Sequence, residues 1–159
     1  MIEVDVMRGP GDWGRVAGLE ALAGRAVENA VAAARRASQR PIEVSLLLSD
    51  DAGVRELNRT WRGLDKSTNV LSFPGAGAPS PDGAEHLGDI ALAFETVARE
   101  AEAEGKTLAD HVAHLIVHGA LHLLGHDHET DAEAEAMEAI EIEALARLGV
   151  ADPYRGMAA

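Results

Sequence analysis

The sequence predicts an α+β fold in which a small mixed four-stranded sheet packs with helices. The length of 159 residues is that of one domain, so we expect residues 1–159 to fold as a single unit. Four short segments have the pattern of strands, and five others have apolar residues at helical spacing. Their order is strand, helix, strand, helix, strand, strand and then three helices, which indicates an α+β domain.

The first half of the chain predicts two strands and two helices. Residues 2–6 (I-E-V-D-V) alternate between apolar and acidic side chains, the pattern of a half-buried strand. An Ala-rich stretch over residues 13–38 has helical spacing and predicts a long helix, which the next proline ends. Residues 42–48 predict a second strand. The Ser-Asp-Asp cluster at 49–51 is a helix cap, so we expect a short helix that ends near Gly63.

The second half begins with two further strands and ends in helices. Residues 69–73 predict a strand that Pro74 stops, and residues 88–94 predict another. The Gly-, Pro- and Ala-rich segment between them, residues 75–87, predicts an irregular loop. Three segments with helical spacing complete the chain: 95–104, 108–124 (capped by Thr107) and 131–148.

Composition excludes several kinds of site. There is no cysteine, so disulfides, thiolate metal ligands and thiol nucleophiles are absent, and a transition metal must be bound by His, Asp or Glu. The first residues carry acids within their apolar stretch, unlike a signal peptide, and no apolar run reaches the roughly 18 residues that a membrane span needs. We therefore expect a cytoplasmic protein with no membrane partner.

The formal net charge of −13 is concentrated in the second half of the chain. Residues 80–159 hold seventeen acidic and four basic residues, whereas residues 1–79 hold ten of each. Because phosphate binding depends on basic side chains, we expect neither general nucleic-acid binding nor a DNA partner. If RNA is the substrate, its contacts should come from the first half, through Arg59, Arg62 and Lys66.

Six of the seven histidines lie between residues 111 and 128. His118 and His122 are four residues apart, so a helix presents both on one face. Gly125 permits a sharp turn, after which His128 can fold back onto the helix end. The spacing H-x-x-x-H-x-x-G-x-x-H is that of metzincin proteases, and three protein ligands leave a fourth position open, as in catalytic zinc sites. We predict one zinc ion bound by His118, His122 and His128 at the carboxyl end of a central helix.

Three residues near this cluster, His114, His126 and Asp127, each have two alternative roles. For His114, packing beside the site or in the core is favoured over ligation, because it precedes the glycine turn by more than two helical turns. His126 is expected to point to solvent or to line the site, and Asp127 to orient an imidazole or form a turn, with both alternatives open. The protease motif H-E-x-x-H has a glutamate after its first histidine. Gly119 takes that place here, which argues against a peptidase.

Three blocks of the sequence resemble the YbeY family. The run H-G-A-L-H-L-L-G-H-D-H at 118–128 is similar to the family signature H-G-x-L-H-L-x-G-[YF]-D-H. Residues 57–74 (L-N-R-T-W-R-G-L-D-K-S-T-N-V-L-S-F-P) and 87–90 (L-G-D-I) are similar to two further family motifs. The likeness spans roughly residues 40–154. Trp61 and His126 depart from it, since they stand where Tyr or Phe is common.

The resemblance implies a single-strand-specific, zinc-dependent endoribonuclease. Its expected role is ribosomal RNA processing, notably at the 3′ end of the small-subunit RNA, and ribosome quality control. It implies zinc at His118, His122 and His128, and it identifies Arg62 as the catalytic arginine. The expected partners are single-stranded ribosomal RNA and the small ribosomal subunit with its basic proteins. The alternatives are a zinc peptidase, a small-molecule amidohydrolase, or a non-catalytic ribosome-assembly factor that zinc stabilises.

Overall fold

Four strands and five helices make up most of the described chain. The computed structural model describes residues 2–35, 40–75 and 83–154. Within them the strands are β1 (Ile2–Arg8), β2 (Ile42–Ser49), β3 (Val70–Pro74) and β4 (Glu85–Ala93). The helices are α1 (Leu19–Ala33), α2 (Asp51–Arg62), α3 (Phe94–Ala103), α4 (Leu108–Leu123) and α5 (Asp131–Arg147). None of these helices has the length and apolar character that crossing a membrane requires.

The strands form one mixed sheet in the order β1-β2-β4-β3. β1, β2 and β4 are parallel, with Val4 opposite Val44 and Leu46 opposite Ile90. β3 runs antiparallel along the outer side of β4, with Ser72 opposite Ile90. Parallel neighbours need a crossover connection, which α1 provides between β1 and β2. The structure confirms the predicted α+β class and the mixed four-stranded sheet.

α4 is the central helix of the fold. It contacts α1, α3 and α5 as well as β3 and β4, and side chains such as Ile116 and Leu121 are fully buried. α2 packs on the other face of the sheet, where Val54 and Leu71 belong to a separate apolar cluster. A helix with neighbours on so many sides is apolar around most of its circumference. His118 and His122, near its carboxyl end, line a cavity.

The predicted start of the first helix is wrong. The helix predicted over residues 13–38 begins at Leu19, because Trp13–Arg15 forms a short 3-10 helix and Gly18 is left-handed with φ of 64°. The Trp13 side chain is buried, and its Nε1 donates a hydrogen bond to the carbonyl oxygen of Ser49 at 3.2 Å. This anchor joins segments that are far apart in sequence, so helical periodicity could not reveal it.

The predicted loop between the last two strands is too long. β4 begins at Glu85, which pairs with Ile42, so the last three residues of the loop predicted over residues 75–87 belong to a strand. Pairing with β2 outweighs the weak local preference of this segment. Residues 76–82 of the predicted loop, and residues 36–39 of the predicted first helix, lie outside the described residues.

Candidate metal centre

The carboxyl end of α4 reverses the chain through a Schellman-type turn. Gly125 has a φ of 97°, a backbone conformation that favours glycine. The backbone N–H of Gly125 donates to the carbonyl oxygen of His122, and that of His126 donates to the carbonyl oxygen of Leu121, each at 3.0 Å. The turn therefore directs the following residues back towards the end of α4, where His128 joins the helical histidines.

The turn brings the three predicted ligands together. The Nε2 atoms of His118 and His122 lie 3.1 Å apart, and ring nitrogens of these two residues and His128 all lie within 4.8 Å of one another. Zn–N bonds of ~2.0–2.1 Å in a tetrahedral site place ligand nitrogens about 3.3 Å apart. The His118–His122 pair is close to that spacing, and the three histidines together could hold a metal ion. His118 and His122 are half-buried and His128 is exposed, which leaves one side of the cluster open.

The protonation of His122 suits metal binding. Burial lowers the pKa of His122 below its usual value, and the nearby imidazoles of His118 and His128 lower it further because they disfavour an additional positive charge. Metals bind the neutral imidazole. The environment of His122 therefore favours its ligating form.

A buried carboxylate that the sequence reasoning missed contacts this cluster from behind. Glu141 on α5 is 0% exposed. Its Oε1 lies 2.5 Å from His118 Nδ1, and its Oε2 lies 3.3 Å from His114 Nε2 and accepts a hydrogen bond from the Tyr154 hydroxyl. Burial alone would raise the pKa of Glu141, but the hydrogen bonds from His114, His118 and Tyr154 outweigh it and lower that pKa to about 2. Glu141 is therefore an ionised, fully hydrogen-bonded carboxylate.

One signal in the sequence could have revealed Glu141. It follows Met137 by four residues and precedes Ala144 by three, so it lies on the inward stripe of α5 between two buried apolar residues. A carboxylate on such a stripe is seldom fully buried without a partner. Tyr154 had no comparable signal, because it lies beyond the end of α5.

The histidines open into a cavity of about 610 Å³, which Arg62 also lines. Arg62 is the last residue of α2, and its Nη2 donates a hydrogen bond to the carbonyl oxygen of Ser72 at 2.9 Å. The carbon at the centre of its guanidinium lies 5.5 Å from the centre of the Phe73 ring. The predicted catalytic arginine and the three predicted ligands therefore line the same space.

The remaining residues of uncertain role lie around the cluster. His126 and Asp127 both line the cavity. Asp127 Oδ1 accepts a hydrogen bond from the backbone N–H of His128 at 2.8 Å, and its carboxylate also acts electrostatically on the His122 imidazole. His114 lies outside the three-histidine group and contacts Glu141 instead.

Gly119 shows why a protease-like glutamate is absent. A Cβ atom at this position would lie 3.1 Å from both Ile90 Cγ2 and Ser72 Oγ, so the position faces the sheet and not the cavity. Ser72 Oγ also donates to the Gly119 carbonyl oxygen at 3.3 Å. An acidic side chain here would press into packed strands, so this position cannot supply the general base that a zinc peptidase needs.

A second polar group lies on the same face of α4, towards its amino end. Ligand atoms of Glu100, Glu104 and His111 lie within 4.8 Å of one another. Lys106 Nζ lies 2.9 Å from Glu104, and Glu100 Oε1 is 2.9 Å from both His111 Nε2 and Asn69 Nδ2. Burial lowers the pKa of His111, although the Glu100 contact opposes that effect. The lysine already supplies a positive charge, so this group is an ion-pair network and not a cation site.

Comparison with known proteins points to one family. The sequence model of the family Endoribonuclease YbeY matches residues 16–149. The Endoribonuclease YbeY of Rhodopseudomonas palustris (strain BisB18) is 54% identical over 145 residues, which are 89% of this chain and 86% of that protein. The protein of the same name from Erythrobacter litoralis (strain HTCC2594) is 53% identical over 161 residues, covering 96% of both chains.

A solved structure supports the fold independently. The solution structure of a Thermotoga maritima protein matches with a TM-score of 0.56 and 24% sequence identity, covering 94% of this chain and 92% of that one. At this identity the likeness bears on the fold alone. The family match, in contrast, extends from before α1 to the end of α5 and includes the whole histidine cluster. The chain belongs to the Endoribonuclease YbeY family.

Proposed function

We propose that this protein is a zinc-dependent endoribonuclease that cleaves single-stranded RNA during ribosomal RNA maturation. The observation that carries the proposal is that Arg62 and the histidines at 118, 122 and 128 line the same cavity. RNA is supported as the substrate by the name that the family and its members carry. Zinc is favoured because three imidazoles with an open fourth position are typical of its catalytic sites.

Arg62 is well placed to stabilise a cleaving phosphodiester. Negative charge accumulates on the phosphoryl oxygens in the transition state, and a guanidinium can donate two parallel hydrogen bonds to them. The Ser72 carbonyl engages Nη2 of Arg62, and the Phe73 ring lies against the guanidinium, so its position is set before the substrate arrives. A bound zinc ion would supply Lewis acidity and lower the pKa of a coordinated water to about 7.

The positive charge available to RNA is smaller than the count of basic residues suggests. Arg59 Nη2 lies 2.6 Å from Glu56, and Arg55 Nε lies 2.7 Å from Asp65. These exposed pairs contribute little stability and can open, but they offset charge along α2. Arg62 differs, since its partner is a neutral carbonyl. We therefore expect weak binding of free RNA with a shallow salt dependence, a slope of about −0.7 per neutralised phosphate.

A partner protein would compensate for this weak binding. The outward side of α5 is acidic and exposed around Glu135, and residues 131–143 contain no lysine or arginine. Such a surface repels a phosphate backbone but complements basic ribosomal proteins. We infer that α5 docks on the small ribosomal subunit and that docking delivers the RNA to the cavity.

Charge reversal tests the docking surface. The double variant Glu135→Lys/Glu138→Lys should lose association with the small subunit while its zinc content stays unchanged. The matched control is Glu28→Lys/Glu102→Lys, which reverses two exposed acids on α1 and α3. Unchanged association together with tighter binding to isolated RNA would show that the acidic side of α5 is only a solvated face.

A cleavage assay tests the proposed activity. Protein purified without a histidine tag is incubated with a single-stranded RNA, the same RNA in a duplex, and casein. We expect cleavage of the single strand only, loss of cleavage after chelation, and its return with added zinc. Hydrolysis of casein without cleavage of RNA would instead support the peptidase.

A cellular assay separates catalysis from assembly. The 3′ ends of precursor small-subunit RNA are mapped in a deletion strain that carries either the wild-type protein or Arg62→Ala. We expect unprocessed ends with Arg62→Ala even where the variant is folded and present at wild-type levels. Normal ends would favour a non-catalytic assembly factor.

A further inference from the structure

Glu141 places a carboxylate inside the core directly behind His118. It is fully buried and lies on α5 where that helix packs against α4. Burying an ionised group is costly, and apolar replacements of buried ion pairs are often neutral or stabilising. Packing alone therefore gives no reason for a carboxylate here, whereas its contacts with the histidines give a specific one.

The first oxygen of Glu141 determines which nitrogen of His118 is available. Oε1 lies 2.5 Å from His118 Nδ1, and a carboxylate oxygen can only accept, so the proton of a neutral His118 lies on Nδ1. The lone pair is then on Nε2, the atom that lies 3.1 Å from His122 Nε2. We propose that Glu141 is a positioning residue that holds His118 in the Nδ1–H tautomer and thereby strengthens zinc binding, an inference that rests on the proposed zinc site.

The second oxygen of Glu141 is held by residues outside the cluster. Oε2 lies 3.3 Å from His114 Nε2 and accepts from the Tyr154 hydroxyl. The Tyr154 ring also packs edge-on against His114, with ring centres 5.7 Å apart. The segment after α5 thus supports the proposed metal centre through Glu141. Tyr154→Phe should remove one hydrogen bond that holds the Glu141 carboxylate while keeping the aromatic ring and its packing.

The test measures zinc affinity and the tautomer of His118 in the full chain. Zinc dissociation constants are obtained by chelator competition for the wild type, Glu141→Gln and Tyr154→Phe, with the exposed Glu135→Gln on the same helix as the control. We expect about 10- to 100-fold weaker binding for Glu141→Gln, a smaller loss for Tyr154→Phe, and no change for the control.

The second readout is the ¹⁵N NMR spectrum of ¹⁵N-labelled histidine side chains. It is recorded on the zinc-free protein at about pH 8.5, where histidines are normally neutral. We expect the Nδ1–H tautomer for His118 in the wild type and a mixture of tautomers in Glu141→Gln. A merely structural carboxylate would lower the melting temperature in Glu141→Gln but leave both the affinity and the tautomer unchanged, and this result would overturn the inference.

The outcomes separate this inference from the proposed zinc site. If the wild type binds no zinc, the proposed metal centre is wrong. The tautomer of His118 then becomes the only test of whether Glu141 positions that imidazole. If Glu141→Gln does not fold, the inference is tested by the zinc affinity of Tyr154→Phe and by the His118 tautomer in the wild-type spectrum. An Nε2–H tautomer of His118 in the zinc-free wild type would refute the role proposed for Glu141.

Discussion

Replacing Arg62 with alanine removes two contacts, and the contribution of each to the free energy of unfolding follows from its geometry. One is the hydrogen bond from Nη2 to the Ser72 carbonyl at 2.9 Å, and the other is the guanidinium over the Phe73 ring at 5.5 Å. Arg62 is exposed, so the hydrogen bond should contribute about 0.5–1.5 kcal/mol and the ring contact about 0.5–1 kcal/mol. We expect the free energy of unfolding to fall by about 1–2.5 kcal/mol, which lowers the melting temperature by roughly 2–10 °C.

The expected loss of activity is much larger than this loss of stability. Removing a donor that meets the transition-state charge typically lowers kcat by about 10²–10³. Arg62→Lys should recover only part of the rate, because an ammonium keeps the charge but lacks the planar pair of donors. The assay is cleavage of single-stranded RNA at a temperature well below the melting transition, with zinc content measured on the same samples.

Arg99→Ala is the matched control for Arg62→Ala. It removes an exposed arginine from α3, whose partner is Asp51 and which does not line the cavity. We expect it to cleave RNA at close to the wild-type rate. The reasoning would be refuted if Arg62→Ala also cleaved at that rate, or if its activity fell only in step with its zinc content.

Three further expectations concern metal content, packing and pH. Elemental analysis of protein purified without a tag should find one zinc per chain, and retention of that zinc in His118→Ala/His122→Ala would disprove the ligand assignment. Urea unfolding of Gly119→Ala should show a net loss of stability, because overpacking costs about 1–3 kcal/mol and alanine inside a helix returns only about 0.5–1 kcal/mol. Gly24→Ala in α1, whose added Cβ would meet nothing within 4 Å, should gain about 0.5–1 kcal/mol. Equal effects of the two substitutions on stability would contradict the packing of Gly119. Burial lowers the pKa of His111 in the folded state, so the unfolded chain binds the proton more readily and stability is lost as pH falls below about 6.5. His111→Gln should flatten that dependence in urea titrations, and an unchanged slope would exclude His111 as its source.

The sequence by itself determined the features that depend on neighbouring residues. The Thr107 hydroxyl accepts the backbone N–H of Asp110 at 3.1 Å at the start of α4, and Gly125 forms the turn after its end. Both were predictable because caps and turns form within a few residues. The four-residue spacing of His118 and His122 likewise placed both on one helix face. The class of the fold followed from the order of such local patterns.

Only the tertiary structure decided the contacts between distant segments. Trp13 anchors to Ser49, which displaces the start of α1, and Glu85 pairs with Ile42, which extends β4. Both depend on packing and strand pairing, which override weak local preferences.

The surroundings of the candidate site depend on packing in the same way. Glu141 meets His118 across 23 residues of sequence because α5 packs on α4, and Gly119 faces β4 because α4 crosses the sheet there. The sequence could name the three histidines, since spacing and a local turn bring them together. It could not name the carboxylate behind them, because the partner of a buried side chain is determined by which helix faces meet.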